Sequence, residues 1–206
     1  MQLPPVDSFR ILETTLYTRE KGFWLLDKHV ARLKRSADLL RLHYPAECFP
    51  TEQVTADAVV QAATAAMAAG GDERYRIRML LDHTGSLQVQ ATVEPQQSGS
   101  TQAPPVLVLD SEPTLDTDSV FVKCKTTHRQ IYERAQDRIP KSYPAGTQVL
   151  LFNQDGLVTE GNIANVAVGV PVNGELRLVT PCVDAGLLAG TARSQFIESG
   201  DIVEGQ

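Results

Sequence analysis

Lys123 and Lys125 stand two apart at the end of the apolar run FVKCK, with Thr126, Thr127, His128 and Arg129 directly behind. A lysine amine attacks a carbonyl only while it is neutral, and a neighbouring cation helps by disfavouring the charged form. On a strand, positions two apart share a face, so Lys123 is placed to act on Lys125 in that way. Arg32, on a helix behind a strand hairpin, is a cation that could hold a phosphate. Glu160, in GLVTEGNIAN, is an acidic residue inside a β-rich stretch, followed by Asn162 and Asn165. Gly190 precedes Thr191, Ala192 and a helix, whose first-turn N–H groups and dipole both favour an anion. Each has an ordinary alternative: a solvated lysine, a helix-surface arginine, an edge-strand glutamate, a capped helix. Together they are the parts of a pyridoxal phosphate site, where a carboxylate keeps the pyridine nitrogen protonated and the ring becomes an electron sink.

The elements that must hold these groups follow from periodicity. FRILETTLY (9–17) and FWLLD (23–27) are apolar runs around the charged turn TREKG, which predicts a strand hairpin. In KHVARLKRSADLLRL, Val30, Leu33, Ala37 and Leu40 recur at helical spacing. A second, alanine-rich helix, ADAVVQAATAAMAAGG, stops at Gly70 and Gly71. RYRIRMLL and LQVQATVE flank DHTG as a second hairpin, with Arg76 and Arg78 alternating onto one polar face. Arg78 is there a candidate for a substrate carboxylate, with a cross-strand salt bridge as its alternative.

The polar, proline-bounded segment from 95 to 105 divides the chain. An N-terminal α+β subdomain (1–95) and a linker (96–105) precede a C-terminal subdomain (106–206). That second part reads as strands VLVLD and SVFVK, a helix from about Thr127 to Ile139, then strands TQVLLFN, LVTEG, NVAVGV and, after an NG turn, ELRLVTP. With no repeating βαβ unit, the order predicts an α+β fold of two sheet-containing subdomains.

With 19 basic against 25 acidic residues and no basic stripe, a nucleic-acid partner is not expected. Three widely spaced cysteines, Cys48, Cys124 and Cys182, suit neither a zinc site nor a disulfide framework and favour a reducing compartment. No apolar run reaches membrane-spanning length, and the N-terminus carries no signal-peptide pattern, so a cytoplasmic location is expected.

Four segments, in order, carry a resemblance over nearly the whole length. They are HVARL (29–33) with Ser36 and Ala37 behind it, KTTHR (125–129), VTEGNIANV (158–166) and TPCVDAGLLAGTAR (180–193). Through them the chain resembles the fold-type IV pyridoxal-phosphate enzymes, the aminotransferase class IV family. The resemblance implies that Lys125 is the Schiff-base lysine of a Lys-x-x-x-Arg pattern ending at Arg129, with Lys123 a neighbour. It implies that Arg32 contacts the cofactor phosphate, that Glu160 faces the pyridine nitrogen, and that the backbone at Thr191 and Ala192 cradles the phosphate. Members often carry a hydroxyl residue where this chain has Ala192.

Within the family the finer pattern looks most like the 4-amino-4-deoxychorismate lyases, which release 4-aminobenzoate and pyruvate for folate synthesis. Counted back from His29 without a gap, Thr15 falls where those lyases carry a threonine for proton transfer. Branched-chain and D-amino-acid transaminases share the lysine, glutamate and arginine and remain the alternative reading. The resemblance further implies a small-molecule amino substrate and a homodimer. Members generally continue beyond the equivalent of Gln206, so the sequence reads as a fold shortened at its C-terminus, with a non-catalytic remnant as a third reading. His29 and His128 flank these motifs as packing candidates. Tyr132, about one helical turn past KTTHR, is a candidate for shaping the subdomain interface.

Overall fold

The computed structural model describes residues 3–67, 73–95, 106–172 and 174–205. The predicted helix stop at Gly70 and Gly71, the linker 96–105 and the Asn173 half of the NG turn lie outside the described residues. The chain divides into two compact units. One comprises Met1–Thr101 with Cys124–His128, the other Gln102–Lys123 with Arg129–Gln206. Lys125 therefore belongs with the first unit, although the chain order puts it in the C-terminal stretch.

The first unit is built on an antiparallel sheet of β1 (Ile11–Thr18), β2 (Gly22–Phe23), β3 (Arg74–Leu81) and β4 (Leu87–Val93), in the order β2-β1-β3-β4. Helices α1 (Leu26–Arg41) and α2 (Ala56–Met67) supply its apolar cover. On β3 the alternation is clean, with Tyr75, Ile77 and Met79 buried and Arg76 and Arg78 exposed. Ile11, Leu33, Ala37, Leu40, Ile77 and Met79 are fully shielded from solvent, as a helix stripe against one sheet face requires. FWLLD is not a strand beyond Phe23. Leu25 takes a left-handed backbone (φ 53°, ψ 34°), which breaks the extended run and lets α1 begin at Leu26.

The first unit also gains a short edge from the far end of the chain. Ile11 bridges Thr126 in antiparallel fashion, with Leu12 N–H donating to Lys125 C=O and Thr127 N–H to Arg10 C=O, both at 2.9 Å. This pairing spans more than a hundred residues of sequence and draws 124–128 out of the second unit.

The second unit holds two three-stranded sheets. β5 (Leu107–Leu109), β6 (Gln148–Phe152) and β7 (Val158–Gly161) form one, in the order β5-β6-β7. β8 (Val168–Val172), β9 (Glu175–Pro181) and β10 (Val203–Gly205) form the other, in the order β10-β9-β8. Helix α4 (Gln130–Asp137) packs Ala135 on Val149 and Leu151 of β6. SVFVK, expected as a strand, is instead the short helix α3 (Val120–Lys123). Val120, Phe121 and Val122 are all buried, so no alternation exists for a strand to express, and Ser119 Oγ accepts the Phe121 N–H as a helix start would. The last helix, α5 (Thr191–Glu198), begins at Gly190.

Candidate active site

In the first unit, β1 sorts the candidate residues onto two sides. Ile11, Glu13 and Thr15 face α1 and are buried. Because Thr126 pairs with Ile11, it shares that side, and Cys124 does too, its Sγ lying 3.6 Å from the Ser36 C=O of α1. Lys125, between them, falls on the other side with Leu12 and Thr14. Burial pushes the Cys124 thiol up to about 11, so this neighbour of Lys125 is a packing group at neutral pH.

The same parity sets Thr15 apart from Lys125. It is 3% exposed, its hydroxyl donates to the Trp24 C=O at 2.5 Å, and it lies on the side of β1 away from Lys125. Thr14 is the hydroxyl on the Lys125 side. Arg78 sits there as well, directly across from Thr14 on β3 and from Gln90 on β4. Arg78 is exposed and neither cross-strand neighbour is acidic; the anticipated salt bridge belongs to Arg76, 3.7 Å from Glu94. Lys123, expected to share a strand face with Lys125, ends α3 in the second unit and pairs with Asp118 at 3.1 Å. The strand geometry that would have set one ammonium beside the other is absent.

On the α1 side, Arg32 is 5% exposed and binds Glu13 in a two-pronged contact, Nε to Oε1 and one Nη to Oε2, each 2.7 Å. His29 Nδ1 lies 2.7 Å from the same Oε2. Burial pushes the Glu13 carboxyl up, but the hydrogen bonds and charges of Arg32 and His29 outweigh it and hold the group below its ordinary value. His29 and Arg32 are three apart on one helical stripe, which is why both reach one carboxylate. Glu13 was not singled out from the sequence. Its signal was an acid at an inward parity position of an apolar strand, opposite an inward-facing His-x-x-Arg.

In the second unit, Glu160 on β7 is 5% exposed. Its Oε1 accepts from the Tyr132 hydroxyl at 2.8 Å and from the Leu188 N–H at 3.2 Å, and its Oε2 from Asn165 Nδ2 at 3.1 Å. Tyr132 reaches it from α4, where the Arg129 guanidinium sits 4.8 Å above its ring and donates to the Asn162 C=O at 2.5 Å. Burial first, then the charge of Glu160, push the Tyr132 phenol well above its ordinary value. Asn165 also donates to the Leu188 C=O at 2.8 Å, tying the loop before α5 to β7.

Gly190 completes that loop. A Cβ there would meet Asn165 Oδ1 at 1.9 Å, so only glycine lets the chain enter α5 this close to Asn165. No side chain caps the helix, and Thr191 and Ala192 form its first turn. Arg193, buried, anchors the turn by donating to the Pro181 C=O and to Glu204.

The family model for amino-transferase class IV matches residues 10–205. This chain belongs to that family. Over 199 residues it is 34% identical to a Schizosaccharomyces pombe protein provisionally named an aminodeoxychorismate lyase, covering 97% of this chain and 78% of that one. The aminodeoxychorismate lyase of Saccharomyces cerevisiae is 30% identical over 167 residues, covering 64% of this chain and 44% of that one. This class IV chain thus matches less than half the length of the budding-yeast protein. The solved structure of a Mesorhizobium loti protein, provisionally named an amino-acid aminotransferase, superposes with a TM-score of 0.75 at 27% identity, covering 96% of this chain and 86% of that one.

The residues of this class IV chain fit a phosphorylated pyridoxal. An uncapped helix start with glycine at its entry suits a phosphate. Tyr132, Asn165 and the Leu188 N–H orient the buried Glu160 carboxylate, a group that suits a protonated ring nitrogen. Lys125 is half-buried. Arg32 gives two of its five N–H groups to Glu13.

Proposed function

We propose that this chain is a pyridoxal-phosphate-dependent lyase that converts aminodeoxychorismate to 4-aminobenzoate and pyruvate. The observation that carries the reading is the 34% identity across 97% of the chain to the fission-yeast protein with that provisional name. Lys125 is the lysine that carries the cofactor, the start of α5 at Thr191 and Ala192 binds its phosphate with Arg32 assisting, and Glu160 holds its ring nitrogen. When bound, pyridoxal phosphate withdraws electrons from the substrate carbon that bears the amine.

Lys125, displaced by the substrate amine, is then a neutral base that takes the proton from that carbon. Breaking the ether C–O bond makes the ring aromatic and releases enolpyruvate, whose methylene carbon takes up a proton to give pyruvate, so no oxidant is needed. Thr14, on the Lys125 side of β1, is the hydroxyl we assign to moving that second proton, in place of Thr15. Arg78, across from Thr14, is assigned to a substrate carboxylate. We further propose a homodimer, small-molecule amino substrates and a cytoplasmic location; no helix among the described residues is long and apolar enough to cross a membrane.

Transamination is the second reading, favoured by the likeness to the Mesorhizobium loti aminotransferase, since the same lysine and carboxylate serve both reactions. The test is product analysis with aminodeoxychorismate, with and without a keto acid. The lyase reading expects 4-aminobenzoate and pyruvate in equal amounts with no keto acid. Amino transfer that requires a keto acid, without 4-aminobenzoate, would establish the transaminase instead.

A further inference from the structure

We propose that Tyr132 is a positioning residue that keeps the Glu160 carboxylate ionised and aimed at a cofactor ring nitrogen; this rests on the reading of Glu160 given above. Tyr132 never touches the reacting atoms in this account. It acts through the 2.8 Å hydrogen bond from its hydroxyl to Glu160 Oε1.

Three features make that bond more than local packing. Burial and the neighbouring carboxylate keep the phenol protonated, so toward Glu160 it can only donate. A donor to a buried carboxylate favours its charged form, which burial alone would disfavour. Oε1 also accepts from the Leu188 N–H at 3.2 Å, a longer bond than the one from Tyr132. With Asn165 on Oε2, the plane of the carboxylate is set from both oxygens.

The phenol is itself held. The Arg129 guanidinium lies over its ring at 4.8 Å and is fixed by its bond to the Asn162 C=O. Arg129, at the N-cap of α4, and Tyr132, three residues on, thus form a relay from the end of the lysine motif to Glu160. Without the hydroxyl, Glu160 becomes the more basic member of its pair with a ring nitrogen, and the shared proton moves toward the carboxylate. The ring would then lose part of the positive charge that makes it an electron sink.

The test is the nitrogen-15 chemical shift of ring-labelled pyridoxal phosphate at saturation on wild type, Tyr132→Phe and Glu160→Gln near neutral pH, with circular dichroism confirming folding. Wild type is expected at the protonated position and Glu160→Gln at the unprotonated one. Tyr132→Phe is expected between them, the proton's distribution altered about tenfold by the loss of one hydrogen bond to a charged group. Arg129→Gln, which keeps the hydroxyl but frees its ring, is expected to move the signal the same way by less, and it carries the test if Tyr132→Phe fails to fold. A Tyr132→Phe signal coincident with wild type overturns the proposal while leaving Glu160 in its role. So does a folded Tyr132→Phe chain that cannot be saturated, because Tyr132 would then be building the site rather than tuning Glu160. If Glu160→Gln also coincides with wild type, the reading of Glu160 itself has failed.

Discussion

Two buried carboxylates, Glu13 in the first unit and Glu160 in the second, are held by different kinds of donor. Glu13 is gripped by the Arg32 guanidinium and the His29 ring, so its charge is met inside the protein. Glu160 accepts from a phenol, a carboxamide and a backbone N–H, which orient the carboxylate. The first arrangement builds structure, because a buried ion pair is stable only while both members are present. The second fixes the direction in which the carboxylate points. Burial alone does not tell them apart; the guanidinium and imidazole on Glu13 and the phenol and carboxamide on Glu160 do.

The largest expected effect is on the first cluster. Glu13→Gln leaves a buried guanidinium without its counter-charge and should cost about 3–5 kcal/mol, read from urea unfolding. Its pH dependence follows from the sign of the shift. The folded Glu13 carboxyl lies below its ordinary value of 4.5, so its contribution is fully present above that value and is lost as pH falls through the folded one. The stability gap between wild type and Glu13→Gln should therefore be constant near neutrality and close in acid. A gap that stays open at low pH would mean the ionic grip is not what holds Glu13.

The next effect is catalytic and separates the two sides of β1. Thr14→Val should slow 4-aminobenzoate release by about a hundredfold, the low end for loss of a proton-transferring group, with folding intact. Glu160→Gln, which turns an amide NH2 toward a donor on one side of the group, should cost about 1–3 kcal/mol in urea stability. A destabilisation as large as that of Glu13→Gln would erase the distinction between the clusters. At the small end, Thr15→Val should cost about 1 kcal/mol through its bond to the Trp24 C=O and leave turnover nearly unchanged. Turnover collapsing in Thr15→Val but not in Thr14→Val would reverse the assignment.

Much of this was legible in the residues. The strands RYRIRMLL and ELRLVTP and the helix carrying HVARL stand out by periodicity, and the four resembling segments place Lys125, Arg32, Glu160 and the loop to Thr191. What escaped depends on contacts that local pattern does not contain. The side of β1 that Lys125 occupies is set by Ile11 pairing with Thr126, and a shift of one residue exchanges Thr14 for Thr15. SVFVK is too short for its period to reveal a helix, and its β-branched residues argued for a strand. Glu13, and the link from Tyr132 to Glu160, were hidden for another reason. Each is defined by its partner, and both partners lie more than fifteen positions away.

The most direct test of the central claim is the visible absorption of the purified chain after loading with pyridoxal phosphate and desalting, beside Lys125→Ala treated identically. The account predicts a band from lysine-bound cofactor in the wild type that is absent from the variant, with both proteins folded. The same band in Lys125→Ala, or none in a folded wild-type chain, would contradict it.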